Sequence, residues 1–225
     1  MPESQMLEWA GQRWELLAGR AAWWPAARTL IAADLHLGKA RHFRAHGVPV
    51  PRGTTGDTLG RLTDLLHQTA ARRLLVLGDL FHARAGVDAG LVQQLTAWRT
   101  THPGVTMLNV RGNHDQRAGD PPPEVDIRCI DRLSEADVDF VHDPAAASDL
   151  PIMAGHIHPC VKLGGRGGDR MRAPCFHFGP RVAVLPAFGA FTGCHPMPVR
   201  RGDAVFVVGP GTIMQLTGSR RPAHA

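Results

Sequence analysis

"MLNVRGNHDQ", residues 107–116, runs an apolar, strand-like segment into Gly-Asn-His-Asp, with Arg111 between the two. Residues this poor at forming a strand, set at the end of one, predict a turn whose side chains are kept for chemistry. The same pattern recurs in "RTLIAAD" (28–34), "RLLVLGD" (73–79), "VDFVH" (138–142), "PIMAGH" (151–156), "RVAVLP" (181–186) and "AVFVVG" (204–209). Their apolar runs are continuous rather than alternating, which predicts strands covered on both faces.

Two helical segments separate the first three strands. In "TTGDTLGRLTDLLHQTAA" (54–71), Leu59, Leu62, Leu65, Leu66 and Ala70 share one face, and Thr54 or Thr55 is the expected cap. In "DAGLVQQLTAWRTTHPG" (88–104), Leu91, Val92, Leu95 and Trp98 do the same before Pro103-Gly104 stops the helix. Strand alternating with helix predicts an α/β fold with a parallel layer in the first half. The closely spaced later strands predict a second sheet packed on the first. At 225 residues and 44% hydrophobic content, one domain spanning 1–225 is expected.

Composition excludes several classes. No stretch approaches the roughly 20 apolar residues of a membrane-spanning helix, and "MPESQMLEWAGQRWELL" lacks the order of a secretory signal, so a cytoplasmic protein with no membrane partner is expected. Cys129, Cys160, Cys175 and Cys194 form no Cys-x-x-Cys pair, which argues against a zinc knuckle or redox motif. No Gly-x-Ser-x-Gly elbow supports serine hydrolysis. The net charge is +5, and 23 Arg stand against only Lys39 and Lys162. Arginine's planar fork suits phosphate-bearing partners.

In parallel α/β sheets the loops leaving the strand C-termini converge on one edge. Those loops carry Asp34 and His36, Asp79, Asn113 with His114 and Asp115, then His142, then His156 and His158. Such polar groups are costly to gather at a sheet edge unless something satisfies them, and a metal ion is the common solution for His with Asp. Asp34, His36, Asp79, Asn113, His142, His156 and His158 exceed what one ion with room for substrate takes, so two divalent ions are expected, with Asp79 as the shared ligand. Nitrogen and carboxylate ligands without thiolate suit Mn first, with Fe or Zn as alternatives. A hydroxide bridging the two ions is the expected nucleophile. His114 is then spare to stabilise the transition state or protonate the leaving oxygen, with Asp115 orienting its ring.

"DLHLGK", "GDLFH", "GNHD" and "GHIHP", in this order over residues 34–159, resemble the motifs of the calcineurin-like metallophosphoesterase superfamily, with His142 of "FVHDP" as its isolated histidine. The resemblance implies a four-layer αββα sandwich of two packed mixed sheets flanked by helices. It implies one ion on Asp34, His36, Asp79 and His158, a second on Asp79, Asn113, His142 and His156, and His114 as the catalytic histidine. His82 of "GDLFH" stands where many members carry an acidic residue or Gly, so it is read as a partner of the ligands or a substrate contact. A narrower resemblance, carried by "AAWWPAARTLIAADLHLGKARHFRAHGVPVPRGTT" (21–55), "GDLFHARAG" (78–86) and "VLPAFGAFTG" (184–193), is to the ligase-associated DNA damage response endonuclease group (PdeM-like). It implies DNA as substrate, in repair, and association with a DNA ligase and a helicase.

Basic segments flank the motifs. "GKARHFRAHGVPVPRGTT" (38–55) reads as a loop whose Lys39, Arg41, Arg44 and Arg52 steer a phosphodiester backbone toward the ions; "KLGGRGGDRMR" (162–172) reads as a Gly-rich clamp carrying Arg166. Trp23, Trp24 and Cys160 read as packing residues, with His177 and His195 left open. The function expected is a two-metal phosphodiesterase or nuclease. A metallophosphoesterase acting on a cyclic nucleotide or nucleotide pyrophosphate is the alternative, and a catalytically silent scaffold is the alternative of another class.

Overall fold

The computed structural model describes residues 3–51, 53–164, 170–190 and 192–216. The chain opens with an antiparallel meander, β1 (Ser4–Trp9), β2 (Gln12–Leu17) and β3 (Ala21–Trp24), which the apolar runs did not announce. It continues through β4 (Thr29–Ala32), α1 (Lys39–Ala45), α2 (Thr54–Thr69), β5 (Arg73–Val76), α3 (Ala89–Thr100), β6 (Thr106–Val110), α4 (Asn113–Ala118) and β7 (Arg128–Ile130). The meander pairs antiparallel, whereas β4–β5–β6–β7 are parallel, giving a mixed seven-stranded sheet in chain order.

The second sheet has nine strands: β8 (Leu133–Glu135), β9 (Val138–Phe140), β10 (Ile152–Ala154), β11 (Pro159–Gly164), β12 (Arg170–Phe178), β13 (Val182–Val184), β14 (His195–Pro196), β15 (Ala204–Gly209) and β16 (Thr212–Gln215). Its inner strands β9, β10 and β13 pair in parallel and the others mostly antiparallel. The two sheets pack face to face over Trp14, Trp24, Ile31, Leu75, Phe140, Met153, Phe176 and Phe206, an α/β sandwich as expected. The outer face of the first sheet packs Leu30, Leu74 and Val76 against Leu59, Leu62 and Leu66 of α2 and Leu91 and Leu95 of α3. Among the described residues no helix follows Ala118 apart from a single 3-10 turn at Pro123–Val125, and none is long and apolar enough to cross a membrane.

Three local expectations are corrected. The segment read as a basic loop is a helix over Lys39–Ala45: it starts at Gly38 in the left-handed conformation, where a Cβ would sit 2.6 Å from the Gly86 carbonyl. Neither Thr54 nor Thr55 caps α2: Gly53 occupies that position and both threonines lie in the first turn. Asn113-His114-Asp115 is not a plain turn but the opening of α4, with Gly112 at its cap. In the Gly-rich segment, β11 and β12 form a hairpin that reaches Gly164 and resumes at Arg170; Arg166, like Arg52, lies outside the described residues.

Candidate metal centre

Parallel strands β4, β5 and β6 and their counterparts β9 and β10 end at one edge, where the structure brings all seven expected ligands together. The backbone stitches the loops to each other. Asp34 N–H donates to the Gly78 carbonyl, His36 N–H to the Asp79 carbonyl (2.8 Å), and Gly155 N–H to the His142 carbonyl. Asp34 accepts the His156 N–H on both carboxylate oxygens (3.0 and 3.2 Å), while Asp79 accepts the His114 N–H (3.0 Å). Close approach needs absent side chains: a Cβ on Gly112 would lie 2.2 Å from Asp79 Oδ1, and one on Gly155 2.7 Å from Asp34 Oδ2.

Five of the seven candidates hold left-handed backbone: Asp34 (φ 55°), His36 (47°), Asp79 (52°), His156 (69°) and His158 (52°). Each such residue costs about 1–3 kcal/mol, a strain that persists only where surroundings impose it and that gathers at functional sites.

Whether these donors suit a cation depends on where their lone pairs point. His142 Nδ1 lies 2.9 Å from the Leu77 carbonyl oxygen and must carry the hydrogen there, so in the neutral ring it is Nε2 that offers the lone pair. Around that lone pair stand Asn113 Oδ1 at 3.1 Å, His156 Nδ1 at 3.1 Å and Asp79 Oδ1 at 3.5 Å. His158 Nδ1 is held by the Gly193 carbonyl at 3.0 Å, and its Nε2 faces His36 Nε2 at 3.3 Å and Asp34 Oδ1 at 3.4 Å. Electron pairs facing one another repel unless a positive charge lies between them, so the residues fit divalent cations. Asp79 spans the two groups: its Oδ1 faces His142, and its Oδ2 lies 3.8 Å from His36 Nε2.

At His36 the electrostatics point the same way, whereas at Asp79 and His158 they favour a proton in the place a cation would take. Burial, reinforced by His158 and Lys39, pushes the His36 pKa down to about 2, leaving a neutral imidazole with its lone pair available. Burial raises the Asp79 carboxyl, with the Asp34 charge adding to the rise and His142 opposing it. At His158 burial favours the neutral ring, yet the hydrogen bond and charge of Asp34 outweigh it and the pKa is raised.

His114 stands at the rim, its side chain 30% exposed and Nε2 4.0 Å from Asp79 Oδ2. The expectation that Asp115 orients this ring is corrected. Asp115 is buried and accepts from Phe81 N–H (3.1 Å), Asn109 Nδ2 (3.0 Å) and Gly112 N–H (3.0 Å), because as the third residue of α4 it reaches back to the helix start. The backbone carbonyl of His82 bonds His114 Nδ1 instead. The His82 ring stacks on His114, and burial together with the Lys39 charge lowers its pKa to about 4.

Of the expected substrate contacts, Lys39 projects toward the centre: burial lowers its pKa and the nearby Asp79 opposes the fall. Arg41 and Arg44 lie on α1, beyond it. Trp24, Cys160 and His177 are buried, the last bonded to Asp203 at 2.8 Å, and His195 is exposed on β14. The groups that orient the imidazoles, the carbonyls of Leu77, His82 and Gly193, were not readable, since every residue type carries a carbonyl. Arg61 was missed too: it donates to the Phe188 carbonyl and lies over that ring, 4.5 Å from its centroid, bracing the segment before Gly193. Its place on an exposed-looking helix position gave no signal.

No family model matches the chain, and no curated protein is found similar to it. Among solved structures, the chain is similar to the nuclease MPE of Pseudomonas putida, with 36% sequence identity, a TM-score of 0.84, and coverage of 95% of this chain and 100% of that one. It is distantly similar to the phosphoesterase Yfce of E. coli, at 15% identity and a TM-score of 0.39 over 80% of this chain and 87% of that one. With the ordered motifs, the clustered His and Asp donors and the full-length match in place, the chain belongs to the calcineurin-like metallophosphoesterase superfamily, alongside the Pseudomonas putida nuclease, and is a metal-dependent phosphoesterase.

Proposed function

We propose that this protein is a two-metal nuclease that hydrolyses phosphodiester bonds in DNA during repair. The observation that carries the reading is Asp79, whose two carboxylate oxygens face separate histidine groups, as a ligand shared by two ions does. Asp34, His36, Asp79 and His158 would hold one ion and Asp79, Asn113, His142 and His156 the other, with Mn favoured and Fe or Zn as alternatives. When bound, two such ions supply positive charge for phosphoryl oxygens and acidify a water molecule.

The chain's own residues do the rest. His114, held through Nδ1 by the His82 carbonyl, presents Nε2 at the exposed rim, where it carries the proton given to the leaving oxygen. Lys39 adds a cation at the same rim, and His82, neutral near pH 7, contributes a hydrogen-bonding ring rather than a charge. The +5 net charge and Arg-rich composition suit a polyanionic substrate. All four cysteines are free, which suits a cytoplasmic setting, and association with a DNA ligase and a helicase fits the repair reading.

The test is cleavage of end-labelled single- and double-stranded DNA by Mn-loaded protein, with an EDTA control and Asp79→Asn prepared identically. Cutting lost in both controls is expected. No DNA cleavage, with turnover of bis(p-nitrophenyl) phosphate intact, would move the substrate to a small diester.

A further inference from the structure

Between α1, the start of α2 and Gln94 of α3 lies an open, polar cavity of about 310 Å³, lined by Ala40, Arg41, Arg44, Gly53, Thr54, Thr55, Gly56 and Gln94. A narrow seam whose lining includes His36, Lys39, Ala40, Thr54, Thr55 and Ala190 adjoins it, sharing Ala40, Thr54 and Thr55, so the cavity and the seam lie side by side where α1 meets the start of α2. Arg41 and Arg44 are one helical turn apart and project together.

Both guanidinium groups are pre-positioned. Arg41 Nη1 is held by both oxygens of Asp88 (2.8 and 2.9 Å), which also caps α3 through Leu91 N–H; Arg44 Nη1 donates to the Pro51 and Val50 carbonyls (3.1 and 3.3 Å). These anchors use one terminal nitrogen of each group and leave the other N–H donors for a ligand. Two threonines and the unblocked first turn of α2 add further donors, since no side chain caps that helix. Asp57, the acid nearest in sequence, is exposed and does not line the cavity.

We infer that this cavity is a second phosphate subsite, taking the backbone phosphate of a polynucleotide next to the one being cut at the metal centre. The inference rests on the nuclease reading and deepens it. A mononucleotide or small diester fills only the centre, whereas a strand reaches both places, so the subsite makes the enzyme select a chain over a small ester. Fixed guanidinium donors suit an anion with several oxygens, and a phosphate on a chain brings that anion at no further cost in translational freedom once its neighbour is seated.

Gly56 provides a clean test. A Cβ there meets only Gln94 Nε2, at an ordinary 3.5 Å, and its φ is not in the left-handed region, so Gly56→Asp and Gly56→Ala both fit the helix. Either residue is a better helix former than Gly, and an acid in the first turn is favourable, so neither variant should melt below the wild type. Gly56→Asp puts a carboxylate into the cavity.

Binding of fluorescein-labelled oligo(dT) to EDTA-treated protein is measured by anisotropy across a salt series, with thymidine monophosphate as the short competitor. We expect wild-type affinity to rise with oligonucleotide length and Gly56→Asp to bind at least about tenfold more weakly. The log–log salt slope of that variant should flatten by about 0.7 for each phosphate that the protein ceases to neutralise. Gly56→Ala, which adds bulk without charge, should lose less affinity than Gly56→Asp and keep the wild-type salt slope. Wild-type binding that Gly56→Asp leaves intact, or that is no stronger for oligo(dT) than for the monophosphate, overturns the subsite while sparing the nuclease reading. A wild type that neither binds nor cleaves the oligonucleotide overturns both.

Discussion

The His114 ring lies against that of His82, centroids 5.0 Å apart and planes 22° apart, while its Nδ1 is bonded to the backbone carbonyl of the same residue. One residue thus fixes the tautomer and the plane of the rim histidine, and Nε2 is left as its only working nitrogen. Replacing His114 with Ala should leave the bound Mn content unchanged and lower the rate on DNA by about 10²–10⁴-fold, the usual range for a general acid. With bis(p-nitrophenyl) phosphate, whose phenolate leaves without help, the loss should be much smaller. Equal losses on both substrates would argue against proton donation.

Asp79→Asn removes the charge that faces both histidine groups while preserving shape. We expect less than half the wild-type Mn by elemental analysis and a rate lower by roughly 10³ or more, since the ions contribute several kcal/mol. Full metal content together with robust turnover would place the shared ligand elsewhere.

Gly112→Ala tests the packing that brings the loops together. Its Cβ would fall 2.2 Å from Asp79 Oδ1, 2.6 Å from the Asp79 backbone nitrogen and 2.9 Å from His142 Cε1, so the Asp79 loop backbone as well as these side chains must move. Overpacking of this kind costs about 1–3 kcal/mol. Calorimetry should show a lower melting temperature, and Mn titration a weaker affinity; an unchanged titration would mean that the centre tolerates displacement.

Far from the centre, buried His102 provides a pH signal. Burial, with His67 and Arg99 adding, lowers its pKa. Thr63 Oγ1 accepts from Trp98 Nε1 (2.9 Å) and lies 3.0 Å from His102 Nε2, where its own hydrogen can be donated to the neutral ring and not to the protonated one. The folded pKa lies below the unfolded value of about 6.5, so the unfolded chain binds the proton first. The stability it contributes is complete above that pH and is lost as pH falls toward the folded value. Denaturant midpoints of EDTA-treated protein at pH 7.5 and 5.5 should differ more for the wild type than for His102→Gln; parallel shifts would remove His102 from the linkage.

What the sequence made legible was the chemistry at strand ends. Asp34, Asp79, Asn113, His142 and His156 follow apolar runs, and the parallel topology obliges those ends to meet. The strands β4, β5, β6, β9, β10, β13 and β15 and the long helices α2 and α3 fell where the apolar patterns put them. The short helix Lys39–Ala45 did not show, because "KARHFRA" has no apolar face and is supported by the loop before α3. Asp115 was assigned to the wrong neighbour because adjacency in sequence suggested His114, whereas the geometry of a helix start turns the third side chain back toward the cap. The strands β1 and β2 were missed for a related reason: exposed or half-buried positions interrupt their buried ones, a weaker signal than the continuous runs downstream.

The left-handed backbone at Asp34, His36, Asp79, His156 and His158 also bears on how such a site could decay. A ligand that is no longer selected would ordinarily drift toward any small residue. Here Ala at these positions would lose the donor and keep the strain, whereas Gly or Asn would relieve or tolerate it. Descendants of this chain that had abandoned hydrolysis would therefore be recognisable by glycine and asparagine in the old ligand positions, a scar of the conformation outlasting the chemistry.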